Sequence, residues 1–325
     1  MHKPIPMTSP LPVHILTGFL GAGKTTFLNR CIQARAGERV LVIENEIGSV
    51  NIDAKLIVEG VQDVLPLTAG CLCCSMNEGL IDLLEAASRR SSEFDRLIIE
   101  TTGIADPESI AYPFLAHPAV ARNFDLRSVI CLADAAHIRQ WIAETEEARR
   151  QIGFADVILL NKTDLVADAE KKALIAELKG INPFAQVFEG SQGDFPIEEI
   201  LHIQQLKDEG AAQQVQTLSL AHRHLSHDIH TFTLSYDRPF DLKALQHELT
   251  KVLTLSRHQI YRIKGLIQAG QSPVQVVLQS VSSSLYLSDG VPWNCPPSER
   301  VSKIVCIGKG IQKESMDRIF SRALR

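Results

Sequence analysis

Residues Gly18-Phe19-Leu20-Gly21-Ala22-Gly23-Lys24-Thr25-Thr26 carry the first chemistry in the chain. They fit G-x-x-x-x-G-K-[ST], a loop whose backbone wraps phosphate. Gly18, Gly21 and Gly23 let the chain turn tightly without a Cβ in the way. The freed N–H groups of the loop, Ala22 included, then join the N-terminus of the next helix in holding anionic oxygens. Lys24 is placed to reach the β- and γ-phosphates, and the hydroxyl of Thr25 to ligate Mg²⁺, with Thr26 beside it. A second set is Asn161-Lys162-Thr163-Asp164, which reads N-K-x-D. The Asp164 carboxylate can accept from both the ring N–H and the exocyclic amino group of guanine. Adenine offers no such pair, and the carboxylate would be left unpaired against it. Asn161, Lys162 and Asp164 therefore select GTP or GDP.

A third set is Cys71-Leu72-Cys73-Cys74. Alternate side chains of an extended segment face one way, so Cys71 and Cys73 can pinch one ion. Cys74 joins them if the chain turns, as it does where a helix starts. Thiolates select zinc or soft ions such as Cu(I). Three sulfurs leave one tetrahedral position for a carboxylate, a water or a partner's ligand. An open position suits metal transfer better than storage. On the residues alone a redox sensor and plain hydrophobic packing remain as alternatives. His222, His224, His227 and His230 also cluster, but among Arg and Asp residues. They read as a solvated polar segment rather than a metal site.

Carboxylates close two of the apolar runs. Arg39–Ile43 leads into Glu44-Asn45-Glu46-Ile47-Gly48, and Arg96–Ile99 into Glu100-Thr101-Thr102-Gly103, with Asp106-Pro107 just beyond. Acids at the ends of strands beside the phosphate-loop strand lie where nucleotide sits in open α/β sheets. Glu100 and Asp106 are candidates for organising Mg²⁺ or sensing the γ-phosphate.

The elements that must position these groups follow from the apolar pattern. Strands are expected at Val13–Thr17, Arg39–Ile43, Arg96–Glu100, Ser128–Asp134, Asp156–Leu160 and Gln186–Phe188. A helix follows the phosphate loop and ends at Gly37 as its cap. Another begins near Met76, and a charged helix spans Glu144–Gln151. Strands alternating with helices predict an α/β fold with a doubly wound, mostly parallel sheet. Residues 1–12 are a flexible lead-in, 13–203 the nucleotide domain and 204–228 a linker. Residues 229–325 form a smaller α+β domain with helices Leu242–Leu255 and Lys313–Ala323 on an antiparallel sheet.

The 325 residues, 45% hydrophobic and 22% charged, suffice for both domains. A net charge of −5 argues against nucleic acid or an anionic membrane as partner. No apolar run approaches the roughly 20 residues of a membrane span, and Met1–Pro12 lacks the apolar core of a signal peptide. The seven cysteines, an odd number with three in one cluster, are no disulfide framework. A cytoplasmic protein with reduced thiols is the expectation.

Taken together the motifs resemble the CobW-like family of phosphate-loop GTPases. The resemblance runs from about Pro12 through Arg262-Ile263-Lys264-Gly265-Leu266, Pro292-Trp293 and Val305-Cys306-Ile307-Gly308 in the C-terminal unit. It implies slow GTP hydrolysis, binding of zinc or cobalt, and delivery of that metal to a client metalloprotein. It also implies a metal shared between Cys73 and Glu44. A homodimer stays compatible with it. Met1–Pro12 lacks the Cys-Pro-x-Leu-Val-Pro docking motif of eukaryotic members, and the long His-rich insert of cobalt-associated members is absent. The alternative function is a metal-responsive or redox-sensing regulatory GTPase that transfers no metal.

Overall fold

Short runs of Val, Ile and Leu become strands buried on both faces, as parallel sheets require. The computed structural model describes residues 9–44, 63–66, 76–203, 223–224, 229–256, 258–281 and 283–325. Its first sheet comprises β1 (Leu11–Thr17), β2 (Val40–Glu44), β3 (Asp63–Pro66), β4 (Arg96–Glu100), β5 (Phe124–Asp134), β6 (Val157–Asn161) and β7 (Gln186–Glu189). They stand in the order β3-β2-β4-β1-β5-β6-β7, with each pairing parallel. The chain reverses its direction of winding at β1, so a crevice opens at the C-terminal ends of β1 and its neighbours.

Helices cover both faces of this sheet. They are α1 (Lys24–Ala34), α2 (Met76–Ser88), α3 (Pro107–Ala116), α4 (Pro118–Asn123), α5 (Ile138–Glu144), α6 (Glu146–Phe154), α7 (Asp168–Ile181) and α8 (Ile197–His202). Phe27 and Leu28 of α1 and Ile200 and Leu201 of α8 fill one face. Leu80, Leu84, Ile110 and Phe114 fill part of the other.

Two helix expectations are corrected. The first helix ends at Ala34, and Arg35 caps it with φ −115°, so Gly37 is not its cap. The charged helix expected over Glu144–Gln151 is two helices that break at Thr145. The Thr145 hydroxyl accepts from the Ala148 N–H and starts α6 instead of continuing α5.

The second sheet comprises β8 (Arg223–His224), β9 (Ile229–Tyr236), β10 (Ile260–Ile267), β11 (Val274–Val281), β12 (Ser284–Pro292) and β13 (Ser302–Lys309), in the order β12-β11-β10-β13-β9-β8. Its pairings are antiparallel. The segment 204–228, expected as a linker, thus contributes two residues to the sheet through β8, and the remainder lies outside the described residues. Helices α9 (Leu242–Leu255) and α10 (Lys313–Ser321) cover one face through Leu245, Leu249, Met316 and Phe320. The other face packs on the first unit, where Tyr261, Leu266 and Ile307 share a core with Ile152, Leu178 and Ile181.

That junction contains a buried ion triad. Asp156, just before β6, accepts from Arg262 Nη2 at 2.7 Å and Lys264 Nζ at 2.6 Å. Its other oxygen accepts from the Val129 N–H at 2.9 Å. Exposure is 5%, 1% and 3% for Asp156, Arg262 and Lys264. Arg262 also lies over the Phe154 ring, 4.7 Å from its centroid. Burial disfavours a charged Asp156, but Arg262, Lys264 and the hydrogen bonds outweigh it and hold the carboxyl below its usual pKa. Burial, together with Arg262, lowers the Lys264 ammonium to about 8, and Asp156 opposes that fall.

Replacing Asp156 by Asn would leave two buried cations without a countercharge, a loss of about 3–5 kcal/mol for a broken buried pair. A carboxyl whose pKa is lower in the folded chain adds stability above about pH 4. That stability fades as pH falls through the folded value. Urea unfolding of Asp156→Asn should therefore show a large loss at pH 7 that narrows in acid. A loss independent of pH would contradict the triad's electrostatic role.

Candidate functional site

Strand β1 runs into a loop whose glycines adopt conformations closed to other residues. Gly18, Gly21 and Gly23 have φ of +133°, +74° and +103°. A Cβ on Gly18 would sit 2.2 Å from the Leu132 carbonyl oxygen, and one on Gly23 2.4 Å from Asn161 Nδ2. The loop can therefore approach β5 and β6 only as glycine. Helix α1 starts at Lys24 with its N-terminal N–H groups facing the loop. The Lys24 ammonium curls back and donates to the Gly18 carbonyl at 2.9 Å and the Phe19 carbonyl at 3.3 Å. Thr26 is exposed at the loop's mouth, whereas Ala22 is buried under it.

The carboxylates stand next to this loop. The Thr25 hydroxyl donates to Glu100 Oε1 at 2.8 Å. Glu100 is the register partner of both Leu16 on β1 and Glu44 on β2. Neighbouring strands lie about 4.8 Å apart, so Glu44 and Glu100 share one face of the sheet edge. Glu44 is buried, with 5% exposure. Two adjacent carboxylates and a hydroxyl form an oxygen-rich set that suits a hard divalent cation.

Asp106 has other work. One of its oxygens accepts from the Glu108 N–H at 3.0 Å and caps α3. The other accepts from Arg150 Nη1 at 3.3 Å. These contacts anchor the segment after β4.

Asn161 also braces the loops around it. It is 2% exposed. Its amide donates to the Ala22 carbonyl at 2.9 Å, and its Oδ1 accepts from the Gly193 N–H at 3.2 Å. It ties the phosphate loop to the 190–193 turn, where Gln192 and Gly193 have φ of +51° and +72°. The Thr163 hydroxyl donates to the Gly190 carbonyl at 3.0 Å and holds the same turn. Asp164 is exposed beside it.

Lys162, with φ +59°, donates to Asp134 Oδ2 at 2.7 Å. Burial pushes the Asp134 carboxyl up, but hydrogen bonds from Lys162, the Ala136 N–H and His137 hold it below its usual pKa. Asp134 ends β5 as Glu100 ends β4, the one sequence signal that could have marked it as a site residue. Phe19, Trp141 and His137 stack behind the loop, with centroid distances of 4.7 Å and 5.6 Å. No local pattern announced that stack.

Cys71, Cys73, Cys74, His222 and His227 lie outside the described residues. His224 and His230 are cross-strand partners on β8 and β9. Among the described residues no three His, Cys, Asp or Glu side chains group as a metal site. Of the other cysteines, burial pushes the Cys31 and Cys131 thiols up to about 12 and the Cys306 thiol higher still. Those three thiols stay protonated and inert. No helix among the described residues is long and apolar enough to cross a membrane.

The motifs can now be set against known proteins. The family model for the CobW/HypB/UreG nucleotide-binding domain matches residues 12–189, and that for the cobalamin synthesis protein CobW C-terminal domain matches residues 229–324. The chain belongs to the CobW family. It is 33% identical to the zinc chaperone YjiA of Escherichia coli over 321 residues, 96% of this chain and 98% of that protein. The zinc chaperone CobW of Pseudomonas aeruginosa is 28% identical over 361 residues, covering 99% and 93%. A crystal structure of Zn(II)-bound YjiA GTPase matches with a TM-score of 0.67 at 27% identity, across 98% of this chain and 100% of that one.

The Asn161 brace gives a prediction. Asn161→Ala leaves the Ala22 carbonyl and the Gly193 N–H unpaired at about 1–3 kcal/mol. Titration with a fluorescent GDP analogue should show affinity reduced by roughly 5- to 150-fold. Unchanged affinity would mean that the loops hold their places without it.

Proposed function

We propose that this protein hydrolyses GTP and uses the cycle to bind a transition metal, zinc by the names of its relatives, and hand it to a client metalloprotein. The observation that carries the reading is the register of Glu44 with Glu100. Glu100 accepts from the Thr25 hydroxyl, and Glu44 opens the segment that leads toward the cysteine motif. A change at the nucleotide's cation is thus one strand away from a metal-ligand candidate.

The left-handed glycines support a fit to the phosphates of GTP and GDP, because they let the loop turn tightly, with Gly18 against Leu132 and Gly23 against Asn161. The oxygen set of Thr25 and Glu100 fits Mg²⁺. When bound, Mg²⁺ neutralises charge that gathers on the phosphates. Gly18, Gly21, Ala22 and Gly23 orient the phosphates through backbone N–H groups. Lys24, which donates to the Gly18 and Phe19 carbonyls, supplies the cation that opposes their charge. Asp164 accepts from the guanine edge while Asn161 and Lys162 fix the loops around it. Cys71, Cys73 and Cys74 are the thiolates proposed to take the cargo metal with Glu44, zinc first and Co²⁺ as the other candidate. A soluble, cytoplasmic protein suits such a role.

Two tests follow. Asp164→Asn replaces an acceptor by a donor at the base edge. GTP affinity should fall by orders of magnitude, as expected for a lost hydrogen-bonding partner in a polar site, and xanthosine nucleotides should bind better. A variant that keeps wild-type GTP preference would remove the guanine assignment. Coupling is tested by zinc titrations in the GTP-analogue and GDP states. Affinities should differ by roughly 5- to 150-fold, and Cys73→Ser should abolish the difference. Equal zinc affinity in both states would exclude the cycle. Zinc binding that changes with nucleotide but never reaches an acceptor protein would favour a metal-responsive regulator.

A further inference from the structure

Gln151 is a buried polar residue that the reading above leaves unused. It lies on α6 and is 1% exposed. Its amide donates to the Gly103 carbonyl at 3.0 Å and the Ala105 carbonyl at 3.2 Å. Those carbonyls belong to the segment between Glu100 and Asp106. On its far side the segment touches the phosphate loop. A Cβ on Gly103 would sit 2.5 Å from the Leu20 backbone nitrogen and 2.8 Å from its Cα. The Thr101 N–H donates to the Leu16 carbonyl at 2.9 Å. The segment is therefore clamped between the phosphate loop and one glutamine.

The neighbouring residue carries the link onward. Arg150 donates to Asp106 Oδ2 at 3.3 Å and to the His258 carbonyl at 3.1 Å, and lies over the Tyr261 ring at 5.4 Å. It also faces Glu108 at 3.8 Å and Glu146 at 3.5 Å. His258 and Tyr261 belong to the C-terminal unit and flank the start of β10. Further along α6, a Cβ on Gly153 would stand in ordinary contact with Tyr261 and Ile307, at 3.4 Å and 3.5 Å. The carboxy end of α6 is fixed by Asn182, whose amide donates to the Ile152, Gly153 and Ala155 carbonyls. One helix thus touches the loop segment beside the nucleotide and the C-terminal sheet.

We propose that Gln151 is a positioning residue for GTP hydrolysis, and that α6 is the strut through which the Glu100–Asp106 segment and the C-terminal sheet sense each other. This rests on the GTPase reading above. The physical argument is one of constraint. A loop that must hold geometry next to a reacting phosphate tolerates little displacement. Backbone carbonyls in a buried segment need donors, and here one side chain supplies two of them. The same donors lock the segment to a helix that also packs on the C-terminal unit through Arg150 and Gly153. A shift at either end is then felt at the other, and by linkage the effect is reciprocal.

The test is Gln151→Met, which keeps volume and removes the donors. GTP turnover, GDP affinity, thermal midpoint and amide exchange of residues 101–106 are measured together. The expected result is a fall in kcat of about tenfold, as expected for displaced groups, with GDP affinity within about twofold, since the phosphate loop and Asp164 are untouched. Exchange at 101–106 should speed up. A folded variant with wild-type kcat and wild-type exchange overturns the proposal. A parallel loss of GDP affinity and thermal midpoint without the kcat split also overturns it, because it reports general loosening. If Gln151→Met does not fold, Arg150→Met replaces it. It should slow turnover and raise exchange both at 101–106 and across 258–263, and unchanged exchange at either place overturns the strut. If the wild type itself hydrolyses no GTP, the GTPase reading fails, and exchange alone decides whether α6 joins the two regions.

Discussion

The structure depends on a buried carboxylate. Asp156 sits at the junction of the two sheets with two buried cations from β10. A buried charge is tolerated only when paired and hydrogen-bonded. Without Asp156, Arg262 and Lys264 would be two buried cations with no countercharge. The triad therefore makes the docked arrangement a condition of folding for all three residues. It also fixes distance. Asp156 lies two residues after α6, so the anchor that holds the sheets together sets where that helix ends.

From that anchor the site is reached through few elements. Helix α6 lies against the segment after β4, and that segment lies against the phosphate loop. Strand β6 leads from Asp156 to Asn161, whose amide holds the phosphate loop and the 190–193 turn together. The C-terminal end of β6 thus reaches the phosphate loop while its N-terminal end is locked by the ion triad. Parallel register does the remaining work, since it alone brings Glu44 beside Glu100 and Glu100 beside Leu16.

Polar side chains near the site divide by what they touch. Asn161, Asp106 and Gln151 hold backbone in place. Thr25, Glu100 and Lys24 present groups that a phosphate and its cation would meet. Asn161 of the N-K-x-D run joins two loops through its side-chain amide. Lys162 is held in a left-handed conformation with its ammonium on Asp134, which is itself kept ionised by that bond.

The phosphate loop, the N-K-x-D run, the alternation of strands and helices and the two sheets with their helices were legible in the amino-acid sequence. Each rests on local information, namely glycine spacing, apolar runs and period. Strand positions followed from apolar runs, whereas helix ends did not: Ala34 is closed by the Arg35 backbone N–H and the break at Thr145 by its hydroxyl, bonds that exist only in the folded chain. The pairing of Glu44 with Glu100, the bracing contacts of Asn161, the anchoring contacts of Asp106 and the carbonyls that Gln151 holds came only with the tertiary structure. Apart from the local cap of Asp106, their partners are 32 to 139 residues away along the chain, or on a neighbouring strand whose register no local pattern specifies. The buried Asp156, Arg262 and Lys264 make the same point. As a sequence they are three ordinary charges, and only the docking of one sheet against the other turns them into a lock.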